Sequence, residues 1–210
     1  AATIVTAGLL TAPATAAGAA TTAGAAPRLP AMTAPAAKLP TPERVAGEDL
    51  NATSAVLSKR THPTAKRGTV YLVNGSNVAN MLAAAPAAYR DKAPILTVSP
   101  TTISNSVWNE IVRLAPSKIV LVGTTASVGP AVEQRLAPYR GYWSISRVAG
   151  NDLRQVAVNL SKSKWSPGVN TVYLVNGDKG AEGLAAAPIA ARANAPILYT
   201  YRDLLSAVTT

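Results

Sequence analysis

The sequence predicts an α/β protein built from tandem small parallel-sheet repeats, the second of them incomplete. Three observations carry this. Thr69–Leu96 (TVYLVNGSNVANMLAAAPAAYRDKAPIL) returns as Thr171–Leu198 (TVYLVNGDKGAEGLAAAPIAARANAPIL), an offset of 102 residues. Upstream, Arg44–Gly47 (RVAG) recurs at Arg147–Gly150 and Leu57-Ser58-Lys59 at Leu160-Ser161-Lys162, both at an offset of 103. Short β-branched runs also alternate with helical patterns, which signals parallel strands covered by helices on both faces. The spacing is too long for a solenoid unit and suits a duplicated small domain.

In chain order, Ala1–Pro40 is dominated by Ala, Thr, Pro and Gly and has no amphipathic period. Its start, ATIVTAGLL followed by small residues, resembles the apolar part and cleavage site of a secretory signal, without an initiator Met or basic lead. The alternative is a low-complexity linker. The apolar run is too short to span a bilayer, and Ala17–Pro42 reads as a Pro-punctuated tether. The organisation expected is therefore a signal remnant and linker over 1–42, a first repeat over 43–146 and a truncated second repeat over 147–210.

Arg44–Gly47 reads as a short strand or extended lead-in. Asp49 caps a helix over Leu50–Arg60 whose buried side is Leu50, Ala55 (or Val56) and Leu57. Thr61–Gly68 is a basic loop. Thr69–Val73 is a continuous apolar run, as expected of a strand buried on both faces. Asn74-Gly75 ends it, a helix follows over Val78–Tyr89, and Pro94–Val98 is the next strand. Thr101 or Thr102 starts a helix that Pro116 stops after Leu114. Lys118–Val122 is a third buried strand, Gly123–Gly129 a loop, and Pro130 the first residue of a helix to Leu136. Trp143–Val148 leads into the second copy, which repeats two strands, Thr171–Val175 and Pro196–Thr200, and stops before a third. A half-completed sheet leaves an open edge, so either more chain follows or another element covers it.

Several chemistries are excluded. There is no cysteine, which removes disulfides, thiolate zinc sites and cysteine nucleophiles. The single histidine, His62, lies in a loop and gives no metal cluster or triad. Asp49, Asp91, Glu110, Glu133, Asp178 and Glu182 form no motif. The hydroxyl-rich loop Gly123–Gly129 (GTTASVG) resembles a phosphate cradle but lacks the lysine of a P-loop, and it reads as a turn. No cofactor is implied. The net charge is +10, from 20 basic and 10 acidic residues. That favours a polyanionic partner: nucleic acid, an acidic lipid surface or an acidic wall polymer. Asn74-Gly75 and Asn176-Gly177 sit where a parallel strand ends, the usual place for ligands, although for either copy alone a glycine supplying a left-handed turn is the simpler explanation.

The order of these pieces resembles the type 2 cell wall binding repeat of Gram-positive surface proteins. That family's opening is matched by Arg44–Gly47 and Arg147–Gly150, and its strand plus glycine by Tyr71–Gly75 and Tyr173–Gly177. Its helix motif is matched by Leu82–Pro86 and Leu184–Pro188, and its P-I-L strand by Pro94–Leu96 and Pro196–Leu198. Asn80 and Glu182 stand where the family has Asp. The resemblance covers about 43–203. It implies Rossmann- or toprim-like units, often three around a pseudo-threefold axis, in a secreted protein held non-covalently at the cell wall or cell surface. The partner it implies is an anionic wall polymer, teichoic-acid-like or an acidic polysaccharide, rather than nucleic acid, with further repeats or a fused effector domain possible.

On that reading the first copy binds polymer through Asn74, Gly75, Asn80 and the segment Pro94, Ile95, Leu96. The second uses Asn176, Gly177, Glu182 and Pro196, Ile197, Leu198. Arg44 and Arg147, with Arg90, Lys92, Arg192 and Arg202, supply charge. The chain itself is expected not to be an enzyme. The rival is one part of an amidase-type wall hydrolase whose catalytic domain lies outside these residues.

Overall fold

Buried strands with small-residue helices between them dictate the architecture. The computed structural model describes residues 3–6, 41–64, 67–177 and 180–202. In chain order the elements are β1 (Thr3–Thr6), α1 (Leu50–Thr61), β2 (Thr69–Asn74), α2 (Val78–Arg90), β3 (Ile95–Val98) and α3 (Asn105–Leu114). There follow β4 (Lys118–Val122), α4 (Pro130–Leu136), β5 (Ser144–Val148), α5 (Leu153–Lys164), β6 (Thr171–Asn176), α6 (Gly180–Arg192) and β7 (Ile197–Thr200). The chain divides into two compact units, Gly8–Arg44 and the remainder.

Two all-parallel sheets form, in the orders β3-β2-β4-β5 and β1-β6-β7. β2 is apolar on both faces because both are covered. Val70 and Leu72 enter a core under α3 and α4, with Ile111, Leu121, Val132 and Trp143. Tyr71 and Val73 face a second core that both repeats share, with Ala84 and Ala87 of α2, Leu160 of α5, Ala190 of α6 and Ile197 of β7. No helix of the described residues is long and apolar enough to cross a membrane.

Two features depart from simple duplication. β5 is the fourth strand of the first sheet, in register with β4 from Lys118↔Ser144 to Val122↔Val148, although its Arg147 and Val148 open the second repeat. The 146/147 boundary therefore falls inside a strand. The corresponding Val45–Gly47 form no strand. The open flank of β6 is taken by β1, with Thr3 opposite Thr171 where the first sheet has Lys118 opposite Thr69.

Two helix expectations need correction. α3 starts at Asn105, not near Thr101, because the Ser104 side chain accepts the Val107 N–H and caps it there. α1 starts where expected, with the Asp49 carboxylate accepting from Ala52 N at 2.6 Å. Its buried side, however, is Ser54, Ala55 and Ser58, whereas Leu50 and Leu57 are 53% and 45% exposed. The small face is selected by what it meets. Ser54 Oγ accepts from Thr97 N of β3 at 3.0 Å, and Ser58 Oγ donates to the fully buried Glu110 of α3 at 2.6 Å. Arg113 balances that carboxylate through Nε at 2.7 Å.

The repeats are joined by polar contacts at both ends of α2. Tyr71 donates to Asp91 at 2.8 Å, and Lys164 of α5 pairs with the same carboxylate. Burial first, then the Asp91 hydrogen bond and charge, raises the Tyr71 phenol well above its ordinary range, so it remains a donor. Tyr199 donates to Ala79 O at 2.8 Å. α2 and α6 pack along alanines, Ala83, Ala84, Ala87 and Ala88 against Ala186, Ala187 and Ala190. Ala87→Leu adds methylenes to a filled seam and is expected to destabilise the protein by about 2 kcal/mol, read from urea unfolding.

Candidate functional site

The carboxyl ends of parallel strands collect loop amides and helix N-termini, so ligand chemistry is sought there first. At the end of β2 a crevice of about 550 Å³ is lined by Asn74, Ser76, Asn77, Val78, Ala79, Thr124, Ala126, Ser127 and Gly177. It draws on both repeats, since Gly177 follows β6. Asn74 Oδ1 accepts from Ser76 N at 2.9 Å, which folds the chain into a tight turn. Asn77 then caps α2 by accepting from Asn80 N at 3.0 Å.

The far wall is the Gly123–Gly129 loop, and Arg147 holds it in place. Its guanidinium donates to Gly123 O at 2.8 Å, to Val128 O at 2.7 Å and to the Glu133 carboxylate at 2.9 Å. Gly123 has φ +109°. A Cβ there would stand 2.8 Å from Asn80 Nδ2 and 2.9 Å from Ser127 Oγ, so glycine is required by both conformation and space. Asn80 and Ser127 are nine-tenths buried or more, and neither Asn80 Oδ1 nor Ser127 Oγ has a hydrogen-bond partner.

The structure sorts the sequence-derived residues into several places. Asn74 and Gly177 line the crevice, and Asn80 lies beside it under Gly123. Gly75 and Gly177 do not use a left-handed backbone. They are small because a Cβ would stand 2.8 Å from Leu50 Cδ2 in the first copy and 3.0 Å from Leu153 Cδ1 in the second. Asn176 ends β6 and is half-buried, while Glu182 belongs to α6 with its side chain outside the described residues. Leu96 and Ile197 are core residues, and Pro94 and Pro196 are buried with their carbonyls accepting from Tyr71 N and Tyr173 N. Ile95 and Leu198 are half-buried. Arg44 is exposed in the other unit.

Among the further basic residues, Lys92, Arg192 and Arg202 are exposed. Arg90 lies 5.7 Å over the Trp165 ring and donates to Asn194 at 2.8 Å. Ser76, Asn77, Thr124 and Ser127 were not singled out by sequence reasoning. The hydroxyl content of GTTASVG was the available signal, but only the fold brings that loop to the N-terminus of α2.

A second concavity, a groove of about 830 Å³, runs between α1, α2 and β3 and is lined by Leu50, Leu57, Met81, Leu82, Tyr89 and Ile95 among others. Its counterpart in the second copy, between α5, α6 and β7, is where α2 packs.

The fold and these features define a tandem α/β repeat protein with a polar crevice where its repeats meet. Residues 44–133 and 147–210 match Cell wall binding domain 2 (CWB2), and the chain belongs to that family of cell-wall-binding domains. It is 27% identical over 168 residues to the N-acetylmuramoyl-L-alanine amidase LytC of Bacillus subtilis, covering 80% of this chain and 33% of that protein. It is 30% identical over 137 residues to the Amidase enhancer of the same organism, covering 65% and 19%. Cwp8 from Clostridium difficile superposes with a TM-score of 0.71 at 26% identity, covering 79% of this chain and 28% of that one. Cwp6 from the same organism gives 0.72 at 24% identity, covering 79% and 26%. The chain thus spans about a third or less of these proteins.

Gly123→Ala is expected to destabilise the protein by about 2 kcal/mol, from the positive φ together with the two close contacts. Faster amide exchange confined to residues 123–129 and the first turn of α2 is the local readout.

Proposed function

We propose that this chain anchors a secreted protein non-covalently at the cell wall by binding an anionic wall polymer. The observation that carries the reading is the match to a cell-wall-binding family in two successive copies. The surplus of 20 basic over 10 acidic residues supports an anionic partner, and exposed Lys92 and Arg192 are suitable contacts. Arg147 is set aside as a contact because its donors serve the crevice wall and Glu133. Leu96 and Ile197 are likewise set aside, since the core buries them.

The similarity to LytC favours a second reading, in which the chain is the wall-binding part of an amidase-type hydrolase. In that case it brings a catalytic domain to its substrate, and repeated weak contacts along one polymer raise the effective concentration.

Sedimentation of the full chain with purified walls tests the anchoring. Walls stripped of their anionic polymers by acid are expected to retain much less protein than intact walls, and added salt is expected to weaken binding. Equal sedimentation with both preparations would point to peptidoglycan and overturn the polymer assignment.

We also propose that the α1–α2–β3 groove seats an α2-like helix of a further repeat, because the equivalent surface of the second copy seats α2. Leu57→Lys is expected to leave the unfolding free energy of this chain within about 0.5 kcal/mol of wild type, as for other exposed sites. In a longer chain that carries a further repeat, the same change should lower the melting temperature.

A further inference from the structure

The crevice can be read more finely than the polymer as a whole. We propose that it holds a neutral sugar unit of the wall polymer through that unit's hydroxyl groups, while the polymer's charged groups are met elsewhere on the basic surface. The proposal rests on the anchoring reading above and specifies which part of the polymer enters this site.

Four observations support it. First, among the described residues no ionisable side chain lines the crevice. Its polar lining is Asn74, Ser76, Asn77, Thr124 and Ser127, interleaved with Val78, Ala79 and Ala126. That mixture of amides, hydroxyls and small apolar surface suits a sugar ring, which presents hydroxyls at its edge and C–H groups on its faces. Second, the guanidinium bordering the site, Arg147, is neutralised by Glu133 and directed into two carbonyls of the loop. It braces the wall, and Arg154, whose Nη2 would lie 3.6 Å from a Cβ on Gly177, stacks over the Tyr201 ring.

Third, two buried polar atoms at the Gly123 wall have no partner: Ser127 Oγ, in a residue that lines the crevice, and Asn80 Oδ1 beside it. Buried polar groups are normally satisfied, and an exception calls for an explanation. The Ser127 hydroxyl can both donate and accept. A phosphodiester or carboxylate at neutral pH can only accept from it, whereas a sugar hydroxyl donates and accepts in one group, and so does a water it replaces or retains. Fourth, the N-terminus of α2 opens here, with its Asn80 N–H already taken by Asn77. Its field alone would welcome an anion. The remaining first-turn N–H groups serve a ring oxygen or an acetamido carbonyl equally well.

The test uses the full chain and two probes. One is the neutral oligosaccharide fraction released from purified walls by hydrofluoric acid, which cuts phosphodiester bonds; the other is dimethyl phosphate, a phosphodiester without hydroxyls. Amide chemical shifts are followed in both titrations, at low and high salt. The neutral oligosaccharides are expected to move the amides of Asn77, Thr124 and Ser127 at both salt concentrations, and dimethyl phosphate to leave them in place. Ser127→Ala, which removes one hydroxyl with little change of volume, is expected to weaken oligosaccharide binding by roughly fivefold, the worth of one hydrogen bond. Thr124→Val, on the rim, provides a second variant should Ser127→Ala perturb the loop.

Shifts of those amides by dimethyl phosphate, with or without shifts by the oligosaccharides, or an affinity unchanged in both variants, would overturn the neutral-sugar assignment while sedimentation with walls continued. Failure of the chain to sediment with any wall preparation would overturn the anchoring reading and this assignment together.

Discussion

The close approach of α2 to α6 is the constraint on which the rest of the molecule depends. Two helices carrying leucines on their facing sides could not lie so near one another. Here most facing residues are alanines from both copies, and where Leu82 of α2 meets α6 it packs on Gly183, at which a Cβ would stand 2.7 Å from Leu82 Cδ1. The seam converts two small sheets into one hydrophobic core that runs from Tyr71 through Ala87 and Ala190 to Tyr199. A protein without phenylalanine and with abundant alanine gains little from bulky side chains, so it relies on tight approach of backbones and on dense packing.

Interlocking of the repeats follows from the strand bookkeeping. The strand that opens the second copy completes the sheet of the first, and its Arg147 reaches back to hold the Gly123–Gly129 loop. The second copy answers through Lys164 on Asp91 and Tyr199 on Ala79. A residue that seemed a charged contact for an external polymer is thereby an internal brace. The motifs of one copy do their structural work partly in the other.

The two concavities differ in kind, and their roles follow from their chemistry. The crevice at the strand ends is small and polar, and it includes residues of both copies. The groove beside α1 is larger and apolar, and the molecule itself shows what such a surface accommodates, because its counterpart holds α2. Duplication lets one half of the chain serve as a guide to the unfilled surfaces of the other.

The sequence by itself determined the repeat, the α/β class, the order of strands and helices from Leu50 onward, and the family, but not the strand Thr3–Thr6 beside β6. These are local or self-referential properties: the run TVYLV forms a strand in both copies, although only the first is buried on both faces, Asp49 caps the helix that follows it, and an offset of 102 needs no coordinates. Only the tertiary structure decided which face of α1 is buried. The leucines suggested one answer, but Ser54 and Ser58 found partners in Thr97 and Glu110, so the small side turned inward. It also decided that the P-I-L segments lie largely in the core, that Arg147 is a brace, and that Thr124 and Ser127 meet the start of α2. Each of those outcomes depends on neighbours dozens of residues away, and no local pattern encodes the identity of a distant neighbour.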